Sequence, residues 1–316
     1  MLPAFRLILL LAVAGFLCQC AHVKTVPPAL TATEFTASDG KSMPYARWAT
    51  EAPPPKAVII CVHGLSGAAS DFWPVGERFP KKEIIVYGLQ LRGMGNDPNK
   101  KERGNIARGE LWVSDLLAFT QLVHQRHPKL PIIWYGESLG SLIVINAAAA
   151  LPDGSPLVSG IVLSSPVTAF RQELPAWKYC LIRTLVAILP GKRISLESLG
   201  DREVKVTGYS THKQQMEKTA HYVEFFSLRL FRAIDKMVRR SEVTASRVRA
   251  PLLLLYTPND IFTSREQIES FYARISASDK SKIFLPNSYH LILHDVDRDQ
   301  TLIDLENWLK TRKFLP

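Results

Sequence analysis

The sequence predicts an α/β fold built on a mostly parallel, doubly wound sheet, and three observations support this. Short apolar runs recur along the chain without the polar alternation of a half-exposed strand, as expected for parallel strands covered on both faces. Segments with helical periodicity separate most of these runs, and repeated strand–helix units form parallel sheets. The composition agrees, since 47% hydrophobic and 22% charged residues are typical of a globular protein with a full core.

Residues 1–20 are predicted to be a targeting segment. One arginine precedes the apolar run Leu7–Leu17, which fits a signal-peptide core and is shorter than the roughly 20 residues of a membrane-spanning helix. Cys18 and Cys20 follow, and lipidation of either would resemble a bacterial lipoprotein; a cleaved signal and an uncleaved anchor are the alternatives. We therefore expect an exported or membrane-tethered protein, in the cell envelope if it is bacterial, with residues 21–32 as a tether.

The first part of the core, residues 33–165, is predicted to hold a hairpin followed by parallel strands. Thr33–Thr36 and Tyr45–Ala49 can pair across a Ser-Asp-Gly turn. A helical pattern at Leu111–His124 separates two of the later strands. The predicted parallel strands are Val58–Val62, Ile84–Leu89, Ile132–Tyr135 and Ile161–Ser164.

Residues 166–248 interrupt the strand–helix alternation. They contain helical runs at Trp177–Leu189 and Lys213–Arg239 and no convincing strand. An insertion of this size at the carboxyl ends of the strands would form a helical cap over a site there. Six apolar side chains are expected either to line an acyl slot or to form ordinary helix–helix core: Trp177, Leu181, Leu185, Phe225, Phe226 and Phe231.

Most of the net positive charge lies in the predicted cap. Residues 171–249 hold 16 Lys or Arg and 8 Asp or Glu, whereas the formal net charge of the whole chain is +10. A basic surface attracts nucleic acid, anionic lipid or acidic substrates. No nucleic-acid motif accompanies it, so we expect no nucleic-acid partner. Contact with a membrane surface and a solvated basic face without a partner are the two remaining interpretations.

The second part of the core, residues 249–316, resumes the alternation of strands and helices. Leu252–Tyr256 is predicted to be a buried strand, Ile283–Leu285 a shorter one and Gln300–Lys310 a helix. These elements return the chain to the sheet after the insertion.

The sequence Gly136–Gly140 carries the pattern G-x-S-x-G between a predicted strand and a helix-like stretch. In that context the pattern is typical of a nucleophile elbow, in which a sharp turn exposes the serine. Ser138 is therefore the candidate nucleophile. The alternative is a glycine-rich connection that contains a serine by chance, and the partners of Ser138 decide between the two interpretations.

A triad in a strand–turn–helix context follows the chain order Ser, Asp or Glu, His. His290 is the preferred base because it follows the last predicted strand in a turn-rich stretch that would expose it. His294, next to Asp295, fits a helix surface better. His212 and His221 lie in the insertion, with no strand bearing an acid between them and Ser138.

Asp260 is the candidate acid. It follows the strand Leu252–Tyr256 through a Thr-Pro-Asn turn, which places it at a carboxyl end, where it can orient an imidazole and stabilise its charged form. Asp153 lies too close to the serine in sequence, and Asp279 precedes a strand. The alternative role for Asp260 is capping of a turn.

Two backbone N–H groups are candidates for an oxyanion hole. Leu139 follows the nucleophile at the start of the helix, and Leu65 follows His63-Gly64 in the loop after the strand Val58–Val62. His63 precedes the serine in the chain, so we expect it to support this loop.

From about residue 33 to its end, the chain resembles the α/β-hydrolase fold, and within it the monoacylglycerol lipase and lysophospholipase-like (serine aminopeptidase S33) group. Departures are Glu137 where histidine is more frequent, Ser141 where a third glycine is common, and no Asp before the Arg-Gly-x-Gly turn. The matching motifs are His63-Gly64, Leu91–Asn96, Gly136–Gly140, Pro258-Asn259-Asp260 and Tyr289–His294.

The resemblance and the triad order together imply a serine hydrolase that cleaves carboxylic esters through an acyl-enzyme. The expected substrate is a small ester or lipid, such as a monoacylglycerol or a lysophospholipid. The chemistry requires no metal and no organic cofactor. The alternatives are a catalytically silent α/β-hydrolase that binds lipid or acts in the envelope, and a peptidase, thioesterase or acyltransferase with the same triad.

Overall fold

The structure is a computed structural model, and the predicted targeting segment lies outside the residues it describes, together with Cys18 and Cys20. It describes residues 25–169, 175–195, 205–211, 214, 221 and 223–315.

A nine-stranded sheet forms the centre of the described part, and two further short strands form a separate antiparallel pair. The order across the large sheet is β1-β2-β3-β5-β4-β6-β7-β10-β11. The strands are β1 (Ala29–Leu30), β2 (Glu34–Thr36), β3 (Ser42–Trp48), β4 (Ala57–Val62), β5 (Ile84–Leu89), β6 (Ile132–Glu137), β7 (Gly160–Ser164), β8 (Arg193–Ser195), β9 (Phe225–Ser227), β10 (Leu252–Tyr256) and β11 (Lys280–Phe284).

The strands from β5 to β11 in this order all pair in parallel, whereas β1, β2 and β3 add antiparallel pairs at one edge. The predicted mostly parallel sheet is therefore confirmed. A leading hairpin forms between β2 and β3, but residues 42–44 pair with β2, whereas residues 45–48 of the predicted second strand pair with β5. Residues 25–32 were predicted to be part of a tether; instead, β1 pairs with β2, so this stretch joins the sheet edge.

Helices cover both faces of the sheet because its central strands are apolar on both sides. In β4, Val58 and Ile60 face one buried cluster, and Ile59 and Cys61 face the other. The helices in the described part are α1 (Trp73–Arg78), α2 (Glu110–Arg126), α3 (Leu139–Ala150), α4 (Ala176–Ile188), α5 (Leu228–Ala245), α6 (Arg265–Arg274) and α7 (Arg298–Thr311).

Side chains of α2, α3, α5 and α6 belong to the first cluster, and side chains of α1 and α7 to the second. Because β4, β6 and β10 are parallel within one sheet, their carboxyl ends lie at the same edge. The loops after these strands are thereby brought together.

The region between β7 and β10 differs from the prediction in one respect. Its described residues include helices α4 and α5, but also the antiparallel pair β8 and β9. Phe225–Ser227 was expected to be helical within the run 213–239, whereas α5 begins at Leu228 and the Ser227 hydroxyl accepts the Leu230 N–H at 3.3 Å. Phe226 is fully buried against Phe231, which favours the strand. Residues 213, 215–220 and 222 of that run lie outside the described part.

Strand β11 begins three residues earlier than predicted, at Lys280, and ends at Phe284. Among the helices that the structure describes, none has the length and apolar character needed to cross a membrane.

Candidate active site

Ser138 lies between the end of β6 and the start of α3 in a backbone conformation with positive φ, at φ 55° and ψ −119°. Such a conformation costs about 1–3 kcal/mol in a residue other than glycine and persists only where its surroundings hold it. The first turn of α3 lies directly against the end of β4, so a Cβ on Gly140 would overlap the carbonyl oxygen of Val62. A Cβ on Gly136 would lie 2.7 Å from the carbonyl oxygen of Gly140, so both glycines of the motif are required by close backbone contacts.

The structure brings Ser138, His290 and Asp260 together in one chain of hydrogen bonds, and all three are buried. The Ser138 Oγ lies 2.7 Å from His290 Nε2, and His290 Nδ1 lies 2.8 Å from Asp260 Oδ2. A carboxylate accepts hydrogen bonds, so His290 carries its proton on Nδ1 and leaves Nε2 free to accept the serine proton.

Backbone groups fix the Asp260 carboxyl. Its second oxygen, Oδ1, accepts the N–H of Phe262 at 2.8 Å and of Thr263 at 3.2 Å. The Phe262 ring also packs edge-on against the His290 imidazole, with 4.6 Å between centroids. These contacts leave the imidazole and the carboxyl little freedom to rotate.

The pKa of His290 is raised above its ordinary value by opposing effects. Burial lowers the pKa of the imidazole, whereas the charge and hydrogen bond of Asp260, together with the charge of Glu137, raise it. The imidazolium form is thus stabilised inside the protein, as a general base for a serine requires.

Contacts with two other loops hold the segment that carries His290 in place. Asp295, buried on the same loop, accepts the Tyr289 N–H at 2.7 Å and the Gly208 N–H at 2.8 Å. The Thr257 hydroxyl donates to the carbonyl of Ser288, so the acid and base loops are joined directly. Asp295 and Thr257 were not among the predicted site residues, because side chains that hold a loop follow no chemical motif.

His294, the less favoured base, lies in a short 3-10 helix over Ile292–His294 and makes no contact with Ser138. It was predicted to lie on a helix surface, and it is the last residue of this 3-10 helix, half-buried beside the Trp73 ring. Burial lowers its pKa to about 4, and the charge of Arg298 adds to this. A neutral imidazole that packs against an aromatic ring indicates a structural role.

The predicted oxyanion donors flank the nucleophile. Leu139 is the first residue of α3, where N–H groups have no partner within the helix. Leu65 lies in the turn closed by the bond from the Gly67 N–H to the Gly64 carbonyl. A Cβ on Gly64 would lie only 3.0 Å from the Ser138 Cβ, so this loop passes directly beside the serine. The role of both donors stays a prediction.

His63 holds two loops together and takes no part in the triad. Its Nε2 accepts the Leu91 N–H at 3.1 Å, and its Nδ1 donates to the Gly64 carbonyl at 2.9 Å. Burial lowers the pKa of His63 to about 4. The imidazole is therefore a neutral brace between the loops after β4 and β5, as the chain order indicated.

Arg92 anchors the Arg-Gly-x-Gly turn after β5. Its guanidinium donates to both oxygens of Asp115 on α2, at 2.6 and 2.7 Å, and also to Asp39 in the hairpin turn at 2.6 Å. This ion cluster supports the turn in a chain that has no Asp immediately before it.

Comparison with known protein families agrees with this geometry. The family model described as "Serine aminopeptidase, S33" matches residues 53–297, well over half of the chain. The chain belongs to the serine aminopeptidase S33 family. Relatives of this S33 protein include the monoacylglycerol lipase of Mycolicibacterium smegmatis, 23% identical over 275 residues that cover 87% of this chain and 95% of the relative. The monoglyceride lipase of Rattus norvegicus is 22% identical over 280 residues, covering 87% and 89%.

Solved structures show the same fold for this S33 family member. Paleococcus ferrophilus monoacylglycerol lipase superposes with a TM-score of 0.71 at 23% identity, covering 85% of this chain and 98% of that one. A soluble variant of Saccharomyces cerevisiae monoglyceride lipase, solved with a substrate analog, gives 0.73 at 17% identity, covering 93% and 98%. The predicted α/β-hydrolase fold is confirmed.

Proposed function

We propose that the protein is a serine hydrolase that cleaves carboxylic esters, on the evidence of the hydrogen-bonded chain Ser138–His290–Asp260 at the elbow. The Ser138 Oγ attacks the ester carbonyl while His290 Nε2 accepts its proton, and Asp260 stabilises the imidazolium. The oxyanion is held by the N–H groups of Leu65 and Leu139.

The two half-reactions use the same groups in turn. His290 gives its proton to the leaving alcohol as the ester C–O bond breaks, which leaves the acyl group on Ser138. Water then attacks the acyl-enzyme, with His290 taking the water proton and returning it to the Ser138 Oγ. No other group has to gain or lose a proton over the cycle.

We infer a lipid-like ester as substrate, a monoacylglycerol or a lysophospholipid. The supporting observation is that relatives spanning most of the chain are named as a monoacylglycerol lipase, a monoglyceride lipase and, in Bacillus subtilis, a phospholipase. A binding protein without activity has no need of a serine, an imidazole and a carboxyl at hydrogen-bond distance, so the geometry favours the enzyme over a silent relative.

A parallel activity profile tests this substrate class. We expect the purified protein to hydrolyse a long-chain monoacylglycerol or lysophospholipid with kcat/KM at least tenfold above that for an aminoacyl amide, because the acyl chain adds apolar contact in the transition state. A protein that is labelled by a fluorophosphonate but shows no preference for the lipid esters would contradict the substrate class. The assignment of the triad would still hold. Absence of both labelling and hydrolysis would favour the silent protein.

We further propose that helix α4 contacts a membrane surface, consistent with the predicted targeting segment. Trp177, Leu181, Leu185 and Ile188 lie on one side of the helix and are 65, 53, 43 and 68% exposed. Val186, on the opposite side, is buried. Trp177, Leu181 and Leu185 were expected either to line an acyl slot or to form helix–helix core. Their exposure contradicts a position in the core.

The charge of α4 supports a lipid partner rather than a second apolar protein. The helix carries Arg183 and no acidic residue, and Lys192 and Arg193 follow it. Its Tyr179 hydroxyl donates to Asp235 of α5 at 3.1 Å, which fixes the apolar side outwards. An apolar face with basic flanks is typical of helices that lie on anionic membranes.

Leu181→Asp should lower kcat/KM for monoacylglycerol presented in anionic vesicles by about tenfold or more, because the transfer of one leucine into the bilayer contributes about 1.5–3 kcal/mol. Hydrolysis of a short, soluble p-nitrophenyl ester should stay unchanged. Ala187→Asp, an exposed position of the same helix outside the apolar side, is the matched control and should behave as wild type. Equal losses on both substrates would contradict membrane contact by α4.

A further inference from the structure

Glu137 is a buried carboxyl for which the mechanism above has no use. It precedes the nucleophile as the last residue of β6, and its side chain is only 4% exposed. Its Oε1 has no hydrogen-bond partner among the residues that the structure describes. A carboxyl oxygen without a partner is costly to bury, so the presence of Glu137 beside the serine requires an explanation.

Charged and titratable groups face Glu137 from four elements. His290 approaches from the loop after β11 and Asp71 from the short helix Ala69–Phe72, while Tyr135 lies on the same strand and Cys61 on β4. Asp71 is itself held in place, since its Oδ2 accepts the Ala68 N–H at 2.8 Å. Of these groups only His290 becomes positively charged in the proposed reaction.

Burial raises the pKa of Glu137 to about 7; the His290 charge opposes this shift and the Asp71 charge adds to it. His290 in turn faces two acids, Asp260 through a hydrogen bond and Glu137 through space. The two acids therefore differ in kind, because one orients the imidazole and the other contributes charge without a direct bond.

We propose that Glu137 is a positioning residue that acts through His290: its carboxylate stabilises the imidazolium that forms when His290 takes the Ser138 proton. The inference rests on the proposed hydrolase function. Glu137 keeps its own protonation state during turnover, since the proton moves from Ser138 Oγ to His290 Nε2 and then to the leaving alcohol. Its charge acts when the pH allows it to ionise.

The sign of the pH dependence follows from this. Below about pH 7 Glu137 holds its proton, and a glutamine in its place is electrostatically equivalent. Above that pH the wild type carries a negative charge that favours the imidazolium, and the glutamine variant does not. The advantage of the wild type should therefore appear as the pH rises through about 7.

The test is the ratio of kcat/KM of the wild type to kcat/KM of Glu137→Gln for a soluble p-nitrophenyl ester. It is measured from about pH 5.5 to about pH 9, a range that spans the ionisation of Glu137. We expect a ratio near one at low pH that rises to roughly tenfold at high pH, the change that about one pKa unit in the base corresponds to. Glu137→Asp keeps the charge and should preserve most of the rise. Glu34→Gln, an exposed carboxyl on β2, is the control and should give a ratio of one throughout.

A loss that is the same at every pH would assign Glu137 a merely structural role and overturn the inference, as would no loss at any pH. Titration of the active serine with a fluorophosphonate distinguishes failure of the proposed function from failure of the role of Glu137. If the wild type is neither labelled nor active, the proposed function fails; if it is labelled and active with a flat ratio, only the role of Glu137 fails.

Asp71→Asn supplies a second measurement if Glu137→Gln does not fold. Asparagine keeps an oxygen for the Ala68 N–H but removes the negative charge that holds back the ionisation of Glu137. We expect kcat/KM at about pH 6, below the Glu137 pKa of about 7, to rise roughly twofold or more. An unchanged or lower value in a folded Asp71→Asn protein would contradict the role of Glu137.

Discussion

Ser138→Ala should reduce kcat for ester hydrolysis by a factor on the order of 10⁴ or more, because the variant has no atom that can form the acyl-enzyme. Labelling by a fluorophosphonate should be lost together with hydrolysis, since both reactions use the same oxygen. The fold should remain, because alanine fits the space that serine occupies and the strained backbone of residue 138 is imposed by its neighbours.

Ser165→Ala is the matched control for this prediction. Ser165 is also buried and also has a positive φ, 43°, at the end of a neighbouring strand, β7. Its hydroxyl has no hydrogen-bond partner among the described residues, so its removal should leave kcat within about twofold of wild type. Full activity of Ser138→Ala, or an equal loss in both variants, would contradict the assignment of the nucleophile.

The strands that could be predicted from the sequence are those whose residues are buried on both faces of the sheet. Every residue of β4, β5, β6, β7 and β10 is buried, and each strand appears in the sequence as a run without polar alternation. Strand β11 lies at the sheet edge with Lys280 and Lys282 among its residues, and only its apolar end, Ile283, was visible as a pattern. Edge position therefore explains the wrong boundary.

Pairing between short strands far apart in the chain could not be predicted. Strands β8 and β9 are three residues each and separated by about 30 residues, so neither has a periodicity of its own. Their stability comes from Phe226 packing on Phe231 and from the Gly104 carbonyl accepting the Ser227 N–H at 2.7 Å. Such tertiary contacts override the local helical pattern in which Phe225–Ser227 lies.

In the candidate site, too, some residues could be predicted from the sequence and others could not. Ser138, Asp260 and His290 follow a fixed chain order and lie at strand ends, so sequence reasoning could select them. Glu137 was visible only as an unusual residue in the elbow, because neither its burial nor its closeness to His290 has a sequence signature. Asp295 carries no motif either, although it holds the loop of the base. Side chains that act through another residue become evident only from contacts.

Gly140→Ala should lower the free energy of unfolding by roughly 3 kcal/mol, at the upper end of the cost of overpacking a close-packed interior. A Cβ there would lie 2.6 Å from the carbonyl carbon of Val62 and 2.9 Å from the carbonyl oxygen of His63, so α3 must move away from β4. The higher helix propensity of alanine, about 1 kcal/mol, is too small to offset this overlap of main-chain atoms.

Because α3 begins immediately after Ser138, its displacement should also move the nucleophile away from His290 and lower kcat/KM in the folded protein by about tenfold or more. Urea denaturation and ester kinetics measure the two effects. Gly191→Ala is the control, because its Cβ would meet only the flexible Arg229 side chain at 3.7 Å and the change in the unfolded chain is the same. A Gly140→Ala protein as stable and as active as Gly191→Ala would show that the elbow does not depend on contact between α3 and β4.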